Sequence, residues 1–187
     1  MDAPVVVVPP PRALLATVVV GAAIATVVFG GFVVGGALSR TVGAPVEVAG
    51  AIRVQPLSGW EVASRSQAPP RVRLTRGGGN LDIAEFPFQG SAEQLVDAYV
   101  RDVLEPEAQH LSVSRQTQTV RLASGLAGVR LGYVGLFGRS SAPIEGEVTA
   151  IVSPNGVGAV FDGWGAEGVL RYMLDDVHAM IGSAVIS

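Results

Sequence analysis

Arg71-Val72-Arg73-Leu74-Thr75-Arg76-Gly77-Gly78-Gly79-Asn80-Leu81-Asp82-Ile83-Ala84-Glu85-Phe86 is the stretch that decides the fold class. Its first five residues alternate polar and apolar with period two, and Leu81 to Phe86 alternates again. Between them, Gly77 to Asn80 are residues that accept positive φ, so the pair reads as a β-hairpin with a glycine-rich loop. A hairpin is antiparallel by construction, which excludes an all-parallel sheet. The glycines precede a strand, whereas a dinucleotide-binding loop opens a helix.

Toward the C-terminus, Ser91 to Leu104 reads as a helix. Ser91 and Gln94 have capping-box spacing, so the hydroxyl and the amide each satisfy an orphan backbone donor. Ala92, Leu95, Val96, Tyr99, Val100 and Val103 form one stripe, Asp97 and Arg101 are spaced for an ion pair, and Pro106 should forbid continuation. Ser112 to Leu122 reads as one half-buried strand. Gly128 to Phe137 is another, with Val129, Leu131, Tyr133 and Phe137 on one face. Glu145 to Val152 and Gly156 to Phe161 form a second hairpin around Ser153-Pro154-Asn155-Gly156. Glu167 to Ala184 reads as a closing helix whose apolar face is Leu170, Met173, Leu174, Val177 and Ile181. Were that face core, Leu174→Ala would cost about 2–5 kcal/mol. Toward the N-terminus, Ile52 and Val54 alternate with polar partners, and Trp60 to Val62 follows a Ser58-Gly59 turn. The expected class is α+β, an antiparallel sheet packed by two helices.

Before this domain lies a different kind of sequence. Ala13 to Ser39 is 27 residues without a charged side chain. About 20 such residues span a bilayer core as a helix, and a signal-peptide core is roughly 7–15, so an uncleaved transmembrane helix is expected. The chain then divides into a tail (1–12), a span (13–39), a small-residue linker (40–51) and a domain (52–187). Gly31 and Gly35 form a G-x-x-x-G pair suited to close helix packing. Pro9-Pro10-Pro11 stiffens the tail.

Composition removes several chemistries. All 13 basic residues are Arg, there is no Lys, and there is no Cys. A P-loop, a thiol nucleophile, a thiolate metal site and a lipidated cysteine anchor are thereby excluded. Beyond the span, 12 Arg face 15 acids, a net of −3, too mild and scattered for a nucleic-acid surface. No Gly-x-Ser-x-Gly elbow occurs; Ser124-Gly125 and Ser140-Ser141 read as turns. His110 falls in a Pro-interrupted surface loop. Asp175 and His178 share a helix face but offer only two ligands of the three or four a metal needs. Glu145 and Glu147 point to one strand face, as an exposed strand commonly has them. No catalytic, metal-binding or cofactor-binding residue is assigned and no cofactor is expected. Trp60 and Trp164 are the candidates for the rim of an apolar groove between sheet and helix.

Val54-Gln55-Pro56-Leu57-Ser58-Gly59-Trp60 resembles the opening of PsbP-like domains, and the hairpin, middle helix, long strand, second hairpin and closing helix follow their layout. The resemblance covers about residues 52–185. It is similar to extracytoplasmic PsbP-like lipoproteins and membrane-anchored relatives of actinobacteria, although the lipidated Cys is replaced by a span. It implies a non-catalytic binding or accessory protein at the cell membrane, with the domain outside the cytoplasm and a protein or envelope lipid-like ligand as partner. The alternatives are a structural subunit docked through the Gly-rich span, and a hydrolase with an unfamiliar site at Glu147 or His178.

Overall fold

The computed structural model describes residues 43–138, 140 and 142–187, all within the second of two units, Val42–Ser187. The tail, the expected span with Gly31 and Gly35, Arg139 and Ser141 lie outside the described residues. Among the described residues no helix is long and apolar enough to cross a membrane.

Eleven strands are described: β1 (Val46–Val48), β2 (Ile52–Val54), β3 (Glu61–Gln67), β4 (Pro70–Arg76), β5 (Gly79–Pro87), β6 (Ala108–Val113), β7 (Gln118–Arg121), β8 (Ala127–Phe137), β9 (Ile144–Val152), β10 (Val157–Ala166) and β11 (Val185–Ile186). Helix α1 (Ala92–Tyr99) runs on through a π-helical segment (Val100–Leu104) and a last turn (Glu105–Glu107). Helix α2 (Leu174–Gly182) follows a 3-10 turn (Leu170–Tyr172). The main sheet has the order β3-β4-β5-β10-β9-β8-β6, with β7 also on β8, and every pairing is antiparallel. A small sheet has the order β1-β2-β11.

The sheet carries a layer on each face. On the first face, Val72, Leu74, Leu81, Ile83, Ile151 and Phe161 pack with Val177, Met180 and Ile181 of α2 and with Val48, Ile52 and Val54 of the small sheet. On the second face, Leu95, Val96, Tyr99 and Leu104 of the α1 rod pack on Val129, Leu131, Tyr133, Phe137, Val148 and Val160. Both helices are held because each lays an apolar stripe on a sheet face, worth about 1.5–3 kcal/mol per large side chain buried.

Several expectations are corrected. Val46–Val48, read as linker, is a strand paired with Ile52–Val54, because Val46 and Val48 alternate with Glu47 and bury on the first face. Helix α1 overruns Pro106: the π-segment restarts an α-turn at Glu105, and Pro106 enters at its beginning, where a missing N–H costs little. Arg101 donates to Asp102 at 2.7 Å, its immediate neighbour, in place of the expected i,i+4 partner Asp97. The expected strand 112–122 is two strands in succession along one edge of β8, split where the Ser114 hydroxyl accepts from Gln116 N and donates to Gln116 O. His110 lies in β6 and is exposed. The closing helix is shorter than 167–184. Gly168 takes a positive φ of 80°, a 3-10 turn follows, and the chain leaves α2 at Ser183 to build β11. Consequently Met180 is fully buried while Leu174 is half-buried.

Candidate functional site

The first face is covered unevenly. Helix α2 and the small sheet seal β4, β5 and β10, while β8 and β9 lie under only one stripe of α2, Leu174, His178 and Ile181, spaced i, i+4, i+7. The sheet residues facing them follow from register. Arg130 stands opposite Thr149, Gly132 opposite Glu147 and Val134 opposite Glu145. The result is a groove whose floor is β8 and β9.

A three-residue bridge divides it. Arg130 Nη1 donates to Glu147 Oε1 at 3.2 Å. His178 Nε2 lies 2.5 Å from both Glu147 Oε1 and Arg130 Nη1. One ring nitrogen carries either a proton or a lone pair, so it serves one of these neighbours at a time. Side chains of Arg130 and Glu147 are 20% and 18% exposed, dry enough for the charges to require each other. On one side of the bridge is a cavity of about 440 Å³ that includes Gly132, Val134, Glu145, Glu147, Leu170 and Leu174. On the other is one of about 270 Å³ that includes Arg130, Thr149, His178, Ile181 and Gly182. Val134, on the floor of the larger cavity, is 48% exposed, a large apolar group left in water.

The second face carries a buried polar network. Asp82 and Asp162 are cross-strand partners, 3% and 2% exposed. Two carboxylates in that register repel, and each is answered separately. Arg73 grips Asp82 with two bonds of 2.7 and 2.8 Å, and Trp164 Nε1 donates to it at 3.0 Å. Asp162 accepts from Tyr99 at 3.1 Å and Tyr133 at 2.9 Å. Burial, then the Asp162 charge, pushes the Tyr99 phenol well above its ordinary pKa. The Tyr133 ring reaches Asp162 by lying over Gly146 of β9, where any Cβ would run into it. These bonds tie α1 and β8 to the middle of the sheet. A further cleft of about 330 Å³, apolar in character, lies between α1 and the end of β5, with Phe86, Phe88, Leu95, Tyr99 and Val103.

The residues singled out from sequence are distributed as follows. Trp60 is 7% exposed in the first-face core, and its Nε1 donates to Asp176 Oδ2 at 3.4 Å, tying the turn before β3 to α2. Arg76 pairs with the same carboxylate. Trp164 is on the second face, with Arg73 5.1 Å from its ring centre. The two tryptophans therefore lie on opposite faces of the sheet. Glu145 and Glu147 do share a face, but Glu145 Oε1 accepts from Gly168 N at 3.0 Å and holds the loop before α2, while Glu147 joins the bridge. His178 turns to Glu147 and Arg130, away from Asp175. Among the described residues no three His, Asp or Glu are grouped to hold a metal. Arg130, Asp82 and Asp162 were missed. Arg130 had a signal: it sits between Gly128 and Gly132, on the strand face opposite Val129 and Leu131.

No family model matches the chain, and no curated protein matches it in sequence. Solved structures do match. Cyanobacterial PsbP (CyanoP) of Synechocystis sp. PCC 6803, determined in solution, is 14% identical with a TM-score of 0.51, covering 80% of this chain and 92% of that one. The Saccharomyces cerevisiae Ran-binding protein Mog1p is 10% identical with a TM-score of 0.53, covering 79% and 96%. At such identities the likeness is one of fold, and it agrees with the resemblance carried by Val54–Trp60 and the element order. The fold of this chain is PsbP-like.

Proposed function

We propose that this chain is a membrane-tethered, extracytoplasmic binding or accessory protein, and that a protein partner docks on the β8–β9 groove. The groove carries the reading: an open trough of about 440 Å³ with Leu170 and Leu174 on one wall, exposed Val134 on its floor, and Arg171 at its edge. Apolar contacts edged by an Arg are a composition of protein-binding surfaces. Fold likeness to a Ran-binding protein supports a protein partner. The uncharged run 13–39 supports the tether, which raises local concentration at the membrane.

A photo-crosslinking side chain at Val134, in membranes carrying the full chain, should trap one discrete protein. The same group at Arg65 on the β3 edge should not. Equal products from both positions, or none from Val134, would reject the groove. Reporter fusions on either side of residues 13–39 test the tether and its orientation. A second reading, a lipid-like ligand, is favoured by the apolar cleft between α1 and β5. Lipid co-purifying with the full chain but lost on Val103→Arg would favour it. Should the span instead dock into a larger complex, Gly31→Leu with Gly35→Leu will release the chain from it.

A further inference from the structure

The larger cavity specifies what kind of side chain would fill it. Register sets first-face residues in two rows running inward from the edge of the sheet. Ser112 of β6 stands opposite Val134 of β8, and Val134 opposite Glu145 of β9. In the next row Ser114 N donates to Gly132 O at 2.9 Å, and Gly132 stands opposite Glu147. Strand β6 ends the main sheet, and Ser112 and Ser114 are small and exposed. Each row therefore leads from a low rim, over Val134 or a bare glycine, to a carboxylate two strand spacings away, about 10 Å. Leu170 and Leu174 line the same cavity.

The two carboxylates differ in what answers them. Glu147 meets Arg130 and His178, both through Oε1. Glu145 Oε1 accepts from the Gly168 amide, and no basic side chain among the described residues pairs with it. Neither Oε2 has a partner among the described residues, yet neither is sealed from solvent, so both open to the cavity. Glu145 is thus a half-buried charge that has lost part of its hydration without gaining a counter-charge. Arg171 at the edge opposes a cation, but it is exposed and turned to its neighbour: Nη2 donates to the Tyr172 hydroxyl at 2.8 Å, and the guanidinium lies 4.8 Å from that ring centre.

Lys and Arg combine a long apolar stem with a charged head. Laid along the Ser112–Val134–Glu145 row, such a stem covers Val134 beside Leu174, and its head meets Glu145 Oε2. A carboxylate laid there would repel Glu145, and an apolar side chain would bury that charge unanswered.

We propose that this groove is a site for a basic side chain, Arg or Lys, of the docked protein, its stem on Val134 and its charge on Glu145. The proposal rests on the partner reading of the groove and names the chemistry of that partner.

Glu145→Gln is the decisive variant, because it removes the charge yet keeps an oxygen to accept from Gly168 N. The full chain in neutral detergent is titrated with two acetylated, amidated peptides, Ala-Val-Arg-Val-Ala and Ala-Val-Gln-Val-Ala, and followed through the Val134 methyl resonances. At low ionic strength the Arg peptide should bind at least about threefold more tightly than the Gln peptide, the worth of one partly screened ion pair. The preference should shrink as salt is raised and vanish in Glu145→Gln. Equal binding of the two peptides, binding of neither, or a preference that survives in folded Glu145→Gln overturns the proposal. The two readings fail separately. A product trapped at Val134 in membranes with equal yield in Glu145→Gln keeps the groove and overturns the basic side chain. An Arg preference lost in Glu145→Gln, with nothing trapped at Val134, upholds this site and rejects the docked protein.

Discussion

Gly146→Ala is expected to be far more costly than its single methyl suggests. Gly146 faces Tyr133 across β8 and β9, and the tyrosine ring lies where the new Cβ would stand. The ring is held there because its hydroxyl donates to Asp162 Oδ1 at 2.9 Å, within a residue 3% exposed. The methyl strains the strand pair, an overpacking cost of about 1–3 kcal/mol, and also moves the ring off Asp162. A bond to a buried carboxylate is worth about 1.5–3 kcal/mol, so the sum is roughly 2.5–6 kcal/mol. For a unit of this size that is on the order of 10 °C in melting temperature. Denaturant unfolding of the full chain in detergent, followed by circular dichroism, measures it. The reasoning also fixes a coupling: in a Tyr133→Val background, Gly146→Ala should cost less than about 1 kcal/mol, since nothing then crosses the glycine. A single-variant cost below about 1 kcal/mol refutes the argument, and so does full additivity of the two changes.

Other consequences can be checked on the same preparation. Met180→Ala, at a fully buried position, should cost about 2–5 kcal/mol. Leu174→Ala, at the half-buried groove wall, should cost clearly less, reversing what the sequence stripe implied; equal costs would mean the groove is closed core. Tyr99 has its pKa raised by burial, so the folded state keeps its proton after the unfolded chain has begun to lose it. Its contribution is therefore complete below about pH 10 and declines as pH rises toward the raised value. Tyr99→Phe should remove that alkaline loss of stability while costing some stability at neutral pH through its lost bond to Asp162; an unchanged alkaline limb would be the contrary result. Arg73→Gln should destabilise more than Arg53→Gln, because Asp82 is buried and Glu47 is half exposed.

The fold was readable because local chemistry and global layout agree. The Gly77–Asn80 turn, the Ser91 cap and the alternation of Val129, Leu131 and Tyr133 each demand one local geometry, and the sheet uses all three. The failures lie where non-local pairing overrode local pattern. Val46–Val48 looks like linker until Ile52–Val54 offers it a ladder. Val185–Ile186 looks like helix end until β2 offers another. The bridge was half legible: Glu147 and His178 stood out as rare groups, but a separation of 31 residues gave no reason to join them. The aspartate network was invisible because Asp82 and Asp162 alternate with apolar residues as exposed polar positions do. Only a helix laid on that face makes them interior.

The three-stranded sheet has a temporal consequence. Its middle strand, β2, takes its second neighbour from β11, and Gln55 N reaches Ser183 Oγ across 128 residues. A polypeptide emerging from a ribosome or a translocation pore makes the near end of that sheet early and waits for its far end. Until β11 arrives, Ile52 and Val54 remain without their last cover, so the nascent chain presents a sticky flank that a chaperone can hold.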